Sequence, residues 1–370
     1  MEKKNFLYCK PSVFVIGNEY EILINLNSFG ICIVKVGEAL YYEENSGVLP
    51  SERTVVKIRV PQCELDKAKK YEIVFRETEK RESYWSTFLP PVTAEFEFKP
   101  LEKTENLHIY YLSDIHYKFD TAIRTVDFFG EDTDLFIFNG DIGEVETVEN
   151  YLDVCAFLGE AAGGVIPMIF TRGNHDTRGR LAELFTDYFP CQEKNTFYTF
   201  EIGCISGLVL DCGEDKPDKF KEYDSSLDTP VEFLGLNRFH AYRQKQLEFL
   251  KKAELDKSKI SLVISHLCPA MASRTAGDTF DIERELYTEW CRELDRIAPS
   301  FMLCGHYHHA FVMKPNDTVS LIPHKYPVVV GAEHTKEAFR GTAITLDGHR
   351  AEIKFTDESH NVCGEDLLTF

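Results

Sequence analysis

Five polar motifs, rich in aspartate, asparagine and histidine, each follow directly after a short apolar run of the sequence. The apolar runs are rich in β-branched and aromatic residues, so each is predicted to be a buried strand. Ligands of an open α/β sheet bind beyond the carboxyl ends of its strands, and the motifs are therefore expected to meet at one edge. In chain order the motifs are Asp114-Ile-His116, Gly140-Asp141, Gly173-Asn174-His175-Asp176, His266 and Gly305-His306-Tyr307-His308.

The residue types in these motifs suit a metal centre. Imidazole nitrogens and the oxygens of aspartate and asparagine bind Mn, Fe or Zn. The motifs contain too few carboxylates for a calcium site and no set of thiolates for structural zinc. A single histidine of this kind is more often a core or surface residue than a ligand, whereas five motifs at five strand ends favour one metal site.

The ordered set DxH, GD, GNHD, H and GHxH resembles that of the calcineurin-like metallophosphoesterase superfamily, over roughly residues 105–350. The resemblance implies an α/β fold, a two-sheet α/β/β/α sandwich, with two divalent metal ions at one edge. It also implies that His175 is a catalytic imidazole that does not bind metal, and that Asp176 orients it. The implied ligands are Asp114, His116 and His308 for one ion and Asn174, His266 and His306 for the other, with Asp141 bridging both.

Metal-dependent hydrolysis of a phosphate ester is the reaction that this resemblance implies. Two ions would lower the pKa of a water molecule between them, and the resulting hydroxide would attack the phosphorus atom. His175 would assist the leaving group. No side-chain nucleophile is required, which agrees with the lack of a convincing Ser-His-Asp pattern. The choice among Mn, Fe and Zn stays open, as does the choice between a monoester and a diester.

Three basic residues are candidates for binding the substrate. Arg172 and Arg178 flank the GNHD motif and could hold phosphate oxygens, although salt bridges to nearby acids are an equal alternative. His240 could reach the site from the insertion at residues 213–240, although a solvated loop histidine is the simpler interpretation. That insertion and residues 271–280 are expected to wall the cleft. The insertion and the start of the following helix carry aromatic residues that would favour a nucleotide or another phosphodiester, namely Tyr223, Phe233, Phe239 and Tyr242.

Residues 1–100 differ from the rest, because short alternating runs recur there between turn residues and no long helical period is present. They are predicted to form a small immunoglobulin-like or fibronectin-like β-sandwich, followed by a catalytic domain at residues 101–370. They weakly resemble the fibronectin-like domain of purple acid phosphatases, and docking of a protein partner or self-association is expected for them. Those enzymes have an iron-binding tyrosine where this chain has Glu144, so a divalent metal pair is expected here.

The formal net charge of −20 and the pI near 5.1 argue against a nucleic-acid binder and against attachment to an anionic membrane. The eleven cysteines are scattered, and no apolar leader or membrane span is evident. A cytoplasmic protein acting on a small phosphate ester is therefore expected. The alternatives are a non-catalytic binding protein that retains the fold and a nuclease of the same superfamily.

Overall fold

The computed structural model of the protein describes residues 5–43, 52–215, 239–271, 283–315, 317–331, 333–334 and 338–370. Within these ranges the strands are β1 (Ser12–Ile16), β2 (Glu19–Asn25), β3 (Gly30–Val36), β4 (Ala39–Tyr41), β5 (Val55–Pro61), β6 (Lys70–Lys80), β7 (Thr87–Phe88), β8 (Val92–Glu97), β9 (Leu107–Leu112), β10 (Leu135–Asn139), β11 (Met168–Thr171), β12 (Tyr198–Ile202), β13 (Ile205–Leu210), β14 (Ile260–Ser265), β15 (Phe301–Cys304), β16 (Phe311–Met313), β17 (Val328–Val330), β18 (Glu333–His334), β19 (Phe339–Asp347), β20 (Arg350–Asp357) and β21 (Val362–Thr369). The α-helices are α1 (Gln62–Ala68), α2 (Phe119–Thr125), α3 (Val148–Ala162), α4 (Phe185–Tyr188), α5 (Phe239–Lys252) and α6 (Arg284–Ile297).

The strands form three sheets. A ten-stranded sheet has the order β21-β20-β19-β9-β10-β11-β1-β2-β5, with β18 paired to β19. A six-stranded sheet has the order β12-β13-β14-β15-β17-β16. Strands β9, β10 and β11 are parallel in the first sheet, and β13, β14, β15 and β17 are parallel in the second. The carboxyl ends of the parallel strands therefore point to one edge in each sheet.

The two large sheets pack face to face, and helices cover their outer faces. Along β10, Ile137 belongs to the core between the sheets, whereas Phe136 and Phe138 pack outward with residues of α3. The outer face of the six-stranded sheet packs on α5 and α6, for example through Leu250 and Trp290. Strands covered on both faces are continuous apolar runs, as β10 is. The predicted α/β/β/α sandwich is confirmed.

The strands of residues 1–100 divide between two sheets. Strands β1, β2 and β5 extend the ten-stranded sheet, because β1 pairs in parallel with β11 in the register Phe14 to Met168. Strands β3, β4, β6, β7 and β8 form a separate five-stranded sheet. One apolar core contains residues of all three sheets. The β-rich character of this region is confirmed, while the domain division at residue 100 stays a prediction; the ten-stranded sheet contains strands from both sides of it.

Several predicted elements differ from the structure in extent. The helix predicted at residues 179–188 is reduced to α4 and a preceding short 3-10 helix. The edge strand β21 is not predicted, because half of its residues are polar and its side chains alternate between solvent and the sheet. Most of the predicted cleft walls, namely residues 216–238 and 272–280, lie outside the described residues. Among the described helices, none has the length and apolar character that a membrane crossing requires.

Phe14→Ala tests whether β1 belongs to the same folding unit as strands β9, β10 and β11. Phe14 is fully buried, and its ring centroid lies 6.0 Å from that of Phe170 on β11. Its removal should lower the free energy of unfolding by about 3–5 kcal/mol. The measurement is urea unfolding followed by the fluorescence of Trp290, which is buried on α6. Tyr84→Ala, at a side chain that is 83% exposed, is the control. An unchanged Trp290 transition in Phe14→Ala would show that β1 lies outside this unit.

Candidate metal centre

The five motifs meet at the edge of the sandwich, as the sequence predicts. Asp114 and Asp141 lie two residues beyond the ends of β9 and β10, and Asn174 lies three residues beyond β11. His266 follows β14 directly, and His306 lies two residues beyond β15. The centre is therefore assembled from three strand ends of one sheet and two of the other.

The backbone of this centre is strained. Five of the seven predicted ligands have positive φ angles, which cost roughly 1–2 kcal/mol in a residue other than glycine. Such conformations are concentrated at functional sites, where the surrounding structure enforces them. The five are Asp114 (53°), His116 (45°), Asp141 (54°), His306 (72°) and His308 (54°).

Two glycines are required for the carboxylates to approach their neighbours. A Cβ atom on Gly173 would lie 2.1 Å from Asp141 Oδ1, and one on Gly305 would lie 2.7 Å from Asp114 Oδ2. Both distances are shorter than any real contact of a Cβ atom. The glycines in the GNHD and GHxH motifs therefore leave the space that the two carboxylates occupy.

The first group of candidate ligands contains Asp114, His116 and His308. His308 Nε2 lies 3.4 Å from Asp114 Oδ1 and 3.2 Å from His116 Nε2. His116 Nε2 also lies 3.9 Å from Asp141 Oδ2. The group therefore converges on one point beside the predicted bridging carboxylate.

The second group contains Asp141, His266 and His306, and Asn174 joins it. His266 Nε2 lies 3.2 Å from Asp141 Oδ2, and Asn174 Oδ1 lies 3.0 Å from His306 Nδ1. The same edge of the Asn174 carboxamide lies 3.2 Å from His266 Nε2 and 3.3 Å from Asp141 Oδ2. Neighbouring ligands of one ion at about 2.1 Å are separated by about 3 Å, so these spacings fit a shared cation.

The Asn174 carboxamide also fits a cation by its chemistry. Its Oδ1 atom faces only acceptors, and a cation between them would bind all of their lone pairs. Turned by 180°, the carboxamide would instead donate to His306, His266 and Asp141 and accept from Arg178 at 3.0 Å. The orientation with Oδ1 toward the centre is therefore the one that a bound metal ion stabilises.

Hydrogen bonds to the backbone orient the ligands. His266 Nδ1 donates to the carbonyl oxygen of Asn139 at 2.6 Å, so Nε2 is the nitrogen that faces the centre. Both oxygens of Asp114 accept from the backbone N–H of His306, at 3.0 and 2.9 Å. The backbone N–H of His116 donates to the carbonyl oxygen of Asp141 at 3.0 Å. The strand-end loops thus hold one another in place.

Two buried carboxylates make the centre a strong site for positive charge. Burial, the largest single cause, raises the pKa values of Asp114 and Asp141, but the charge of His266 and the hydrogen bonds from neighbouring histidines together lower both. Burial alone would lower the pKa of His266, but the two carboxylates raise it to about 10. The carboxylates therefore keep a proton on His266, and a divalent cation in the same place would supply the charge instead.

Two further histidines are suited to bind metal. Burial, the largest cause in both cases, lowers the pKa values of His116 and His306 to about 4. Both imidazoles are therefore neutral at pH 7. A neutral imidazole offers the lone pair that metal binding requires.

His175 lies on the open side of the centre, and its side chain is 43% exposed. Its backbone N–H donates to Asp141 Oδ1 at 2.9 Å, and its Nε2 atom lies 4.0 Å from Asp141 Oδ2. Arg178 donates from NH1 to His175 Nε2 at 3.2 Å. Burial lowers the pKa of His175, and Arg178 lowers it further against the charge of Asp141. The imidazole is placed to face a substrate that enters from solvent.

Asp176 has a different position from the one expected for it. Its Oδ2 atom accepts from the backbone N–H groups of Gly173 at 2.7 Å and Asp141 at 3.1 Å. The short 3-10 helix that begins at His175 turns Asp176 inward, so it joins two loops and does not orient the imidazole. Burial, and next the charge of Asp141, raise the pKa of Asp176 to about 7.

The three basic candidates for substrate binding contact different partners. Arg172 is paired with Asp211 at 2.8 Å, behind the GNHD motif. Arg178 contacts His175, and its Nε and NH2 atoms donate to both oxygens of Glu214, at 2.7 and 2.6 Å. His240, on α5, contacts Glu283 at the start of α6. Of the three, Arg178 is the one whose contacts reach a predicted site residue.

Sequence reasoning missed three residues near the centre. Asn139 lies at the end of β10, and its carbonyl oxygen orients His266. The sequence signal that could have indicated Asn139 is a polar residue at the end of an apolar run. Glu214 and Asp215 contact Arg178, but they lie in an acidic stretch that carries no motif.

Comparisons with known proteins show the family of this chain. A family model described as calcineurin-like phosphoesterase matches residues 107–310, more than half of the chain. The chain therefore belongs to the calcineurin-like phosphoesterase family. A search of curated proteins finds no match.

Two solved structures are similar in fold. One is purple acid phosphatase PPD1 from seeds of yellow lupin (Lupinus luteus), with a TM-score of 0.62 and 10% identity, covering 97% of this chain and 74% of that chain. The other is PhoD, with a TM-score of 0.54 and 12% identity, covering 100% of this chain and 90% of that chain. At these identities the likeness shows a shared fold, including the region before the catalytic part.

Asp141→Asn should reduce metal binding more than any other single change, because Asp141 belongs to the second group and its Oδ2 atom lies 3.9 Å from His116 Nε2 of the first. In the wild type, Mn²⁺ at 100 times its dissociation constant should stabilise the metal-depleted protein by about 2.7 kcal/mol. The variant should lose most of this shift in melting temperature and most of the bound metal by elemental analysis. Asp256→Asn is the control, because Asp256 is exposed and precedes β14, whereas the proposed ligand His266 follows it. Equal metal content in Asp141→Asn would contradict the assignment of the bridging ligand.

Proposed function

We propose that this protein hydrolyses phosphate esters with two divalent metal ions held by seven side chains. One observation carries the proposal: lone-pair atoms from five strand ends converge in two neighbouring groups, and Asp141 of the second group lies 3.9 Å from His116 of the first. Membership of the calcineurin-like phosphoesterase family supports this class of chemistry. The proposed ligands are Asp114, His116, Asp141, Asn174, His266, His306 and His308.

The side chains of this centre have different proposed roles. Bound Mn, Fe or Zn ions would activate water at neutral pH and offset negative charge on the phosphoryl group. Asp114 and Asp141 fix the position of the positive charge, and Asn139 keeps the His266 imidazole in the tautomer that can bind. His175 faces solvent beside Asp141; its Nε2 atom accepts from Arg178 here and would have to be protonated to donate to the leaving oxygen.

The proposed substrate is a small organic phosphate, with a nucleotide or another phosphodiester as the finer suggestion. Phe239 and Tyr242 no longer support this suggestion, because both rings lie over the guanidinium group of Arg172, 5.8 and 5.7 Å from it. Tyr223 and Phe233 lie outside the described residues. The cytoplasmic location, the exclusion of nucleic acid and a partner for residues 1–100 stay predictions.

The proposed function is tested by elemental analysis of the purified protein together with a screen of substrates. The screen contains p-nitrophenyl phosphate, its bis-ester, nucleotides and cyclic nucleotides, each with Mn²⁺, Fe²⁺ or Zn²⁺. Turnover that depends on metal would support the proposal and separate monoesterase from diesterase activity. Bound metal and activity both absent would favour a binding protein that retains the fold. Binding of DNA that weakens with salt would favour a nuclease.

His175→Ala should lower kcat by about 10²–10⁴-fold, the usual contribution of a general acid or base. The metal content should stay unchanged, because the ligand groups include six other titratable side chains and Asn174. His349→Ala, at an exposed histidine of the hairpin between β19 and β20, is the matched control. A wild-type kcat in His175→Ala, with full metal content, would remove His175 from the mechanism.

A further inference from the structure

The loop at residues 211–215, called here the acidic loop, is fixed to α5. The side chain of Gln246 accepts from the backbone N–H of Asp211 at 2.9 Å and donates to its carbonyl oxygen. Arg243 donates from Nε to the carbonyl oxygen of Cys212 at 2.8 Å, and from NH2 to that of Glu214. Gln246 and Arg243 are both fully buried. The acidic loop is therefore held by a rigid helix and has little freedom to move.

The acidic loop presents carboxylates to both arginines that flank the GNHD motif. Asp211 pairs with Arg172 at 2.8 Å. Glu214 accepts two hydrogen bonds from Arg178, and Asp215 accepts a third from its NH2 atom. The side chains of Glu214 and Asp215 are only 13% and 8% exposed. These pairs are thus partly withdrawn from solvent, where charge-assisted hydrogen bonds are strong.

The guanidinium group of Arg178 contacts Glu214 through its Nε–NH2 edge and His175 through its NH1 atom. The Nε–NH2 edge, which can grip a phosphate with two parallel hydrogen bonds, is occupied by both oxygens of Glu214. NH1 points the other way and donates to His175 Nε2 at 3.2 Å. A carboxylate therefore holds the position on Arg178 that a phosphate group would take.

We propose that Glu214 is a positioning residue that competes with substrate phosphate for Arg178. It keeps the Nε–NH2 edge of Arg178 from gripping phosphate and holds NH1 against His175. This inference rests on the proposed function, and it assigns to Glu214 a control over how tightly the site binds phosphate, the product included. Tight binding of the product would slow turnover, since product release often limits kcat.

The proposal predicts opposite changes in binding and turnover when the carboxylate is removed. Glu214→Gln replaces the charged acceptor on the Nε–NH2 edge of Arg178 with a neutral one and leaves Asp215 as the one carboxylate on NH2. Inorganic phosphate should then inhibit about tenfold more strongly, which corresponds to one added charge-assisted hydrogen bond. The value of kcat should fall, because Arg178 leaves His175 and the product leaves more slowly. A purely structural role for Glu214 would weaken phosphate binding and turnover together.

The experiment compares Glu214→Gln, Arg178→Ala and the double variant with the wild type, all in the metal-loaded full chain. Inhibition by inorganic phosphate and kcat are measured with the best ester of the substrate screen. In the Arg178→Ala background, Glu214→Gln should have no further effect on either quantity, because Glu214 acts through Arg178. Glu293→Gln is the matched control, since Glu293 also accepts from an arginine Nε at 2.7 Å, on α6 away from the site.

Two results would overturn the proposal: phosphate affinity that is unchanged or weaker in Glu214→Gln, or an equal effect of this change with and without Arg178. If Glu214→Gln fails to fold, Glu214→Asp replaces it; the shorter side chain should lose one of the two hydrogen bonds and give a smaller tightening. If the wild type hydrolyses no ester, the proposed function fails. The competition is then still measured by calorimetric binding of inorganic phosphate to the same metal-loaded variants.

Discussion

The arrangement of two buried carboxylates, Asp114 and Asp141, is the constraint on which the rest of the structure depends. Neither is solvated, so each must be compensated by hydrogen bonds and positive charge, or the fold would bear the cost of an unpaired buried anion. Backbone N–H groups of His175 and His306 and the imidazole of His266 supply part of this compensation. The strand-end loops that bring these groups together have left-handed backbone conformations at five of the seven proposed ligands.

Much of the fold and the site follows from local sequence. An apolar run that ends in Asp, Asn or His specifies both a buried strand and the polar group at its end, and β10, β14 and β15 occur where such runs occur. The convergence of the ligands then follows from parallel pairing, which brings the strand ends to one edge. For these elements, local composition and a general rule of sheet architecture are sufficient.

The features that sequence could not predict depend on contacts between distant residues. The run at residues 13–16 is apolar without interruption, which suits an interior strand, but nothing in it specifies pairing with β11. The inward turn of Asp176 depends on a 3-10 helix, and its partners are N–H groups of two different loops. The partners of Glu214 are an arginine 36 residues earlier in the chain and a residue of the helix that follows it, and neither can be inferred from the local sequence.

The place of β1 in the large sheet has a consequence for how the chain folds during synthesis. Strands β1 and β2 form a local antiparallel pair that can assemble early, but the other edge of β1 pairs only with β11. Until β11 leaves the ribosome, that edge presents unpaired backbone groups and apolar side chains, which is the geometry that promotes association between chains. Long-range parallel pairing of this kind also slows folding. Strand β1 therefore completes its hydrogen bonds only after β9, β10 and β11 have been made.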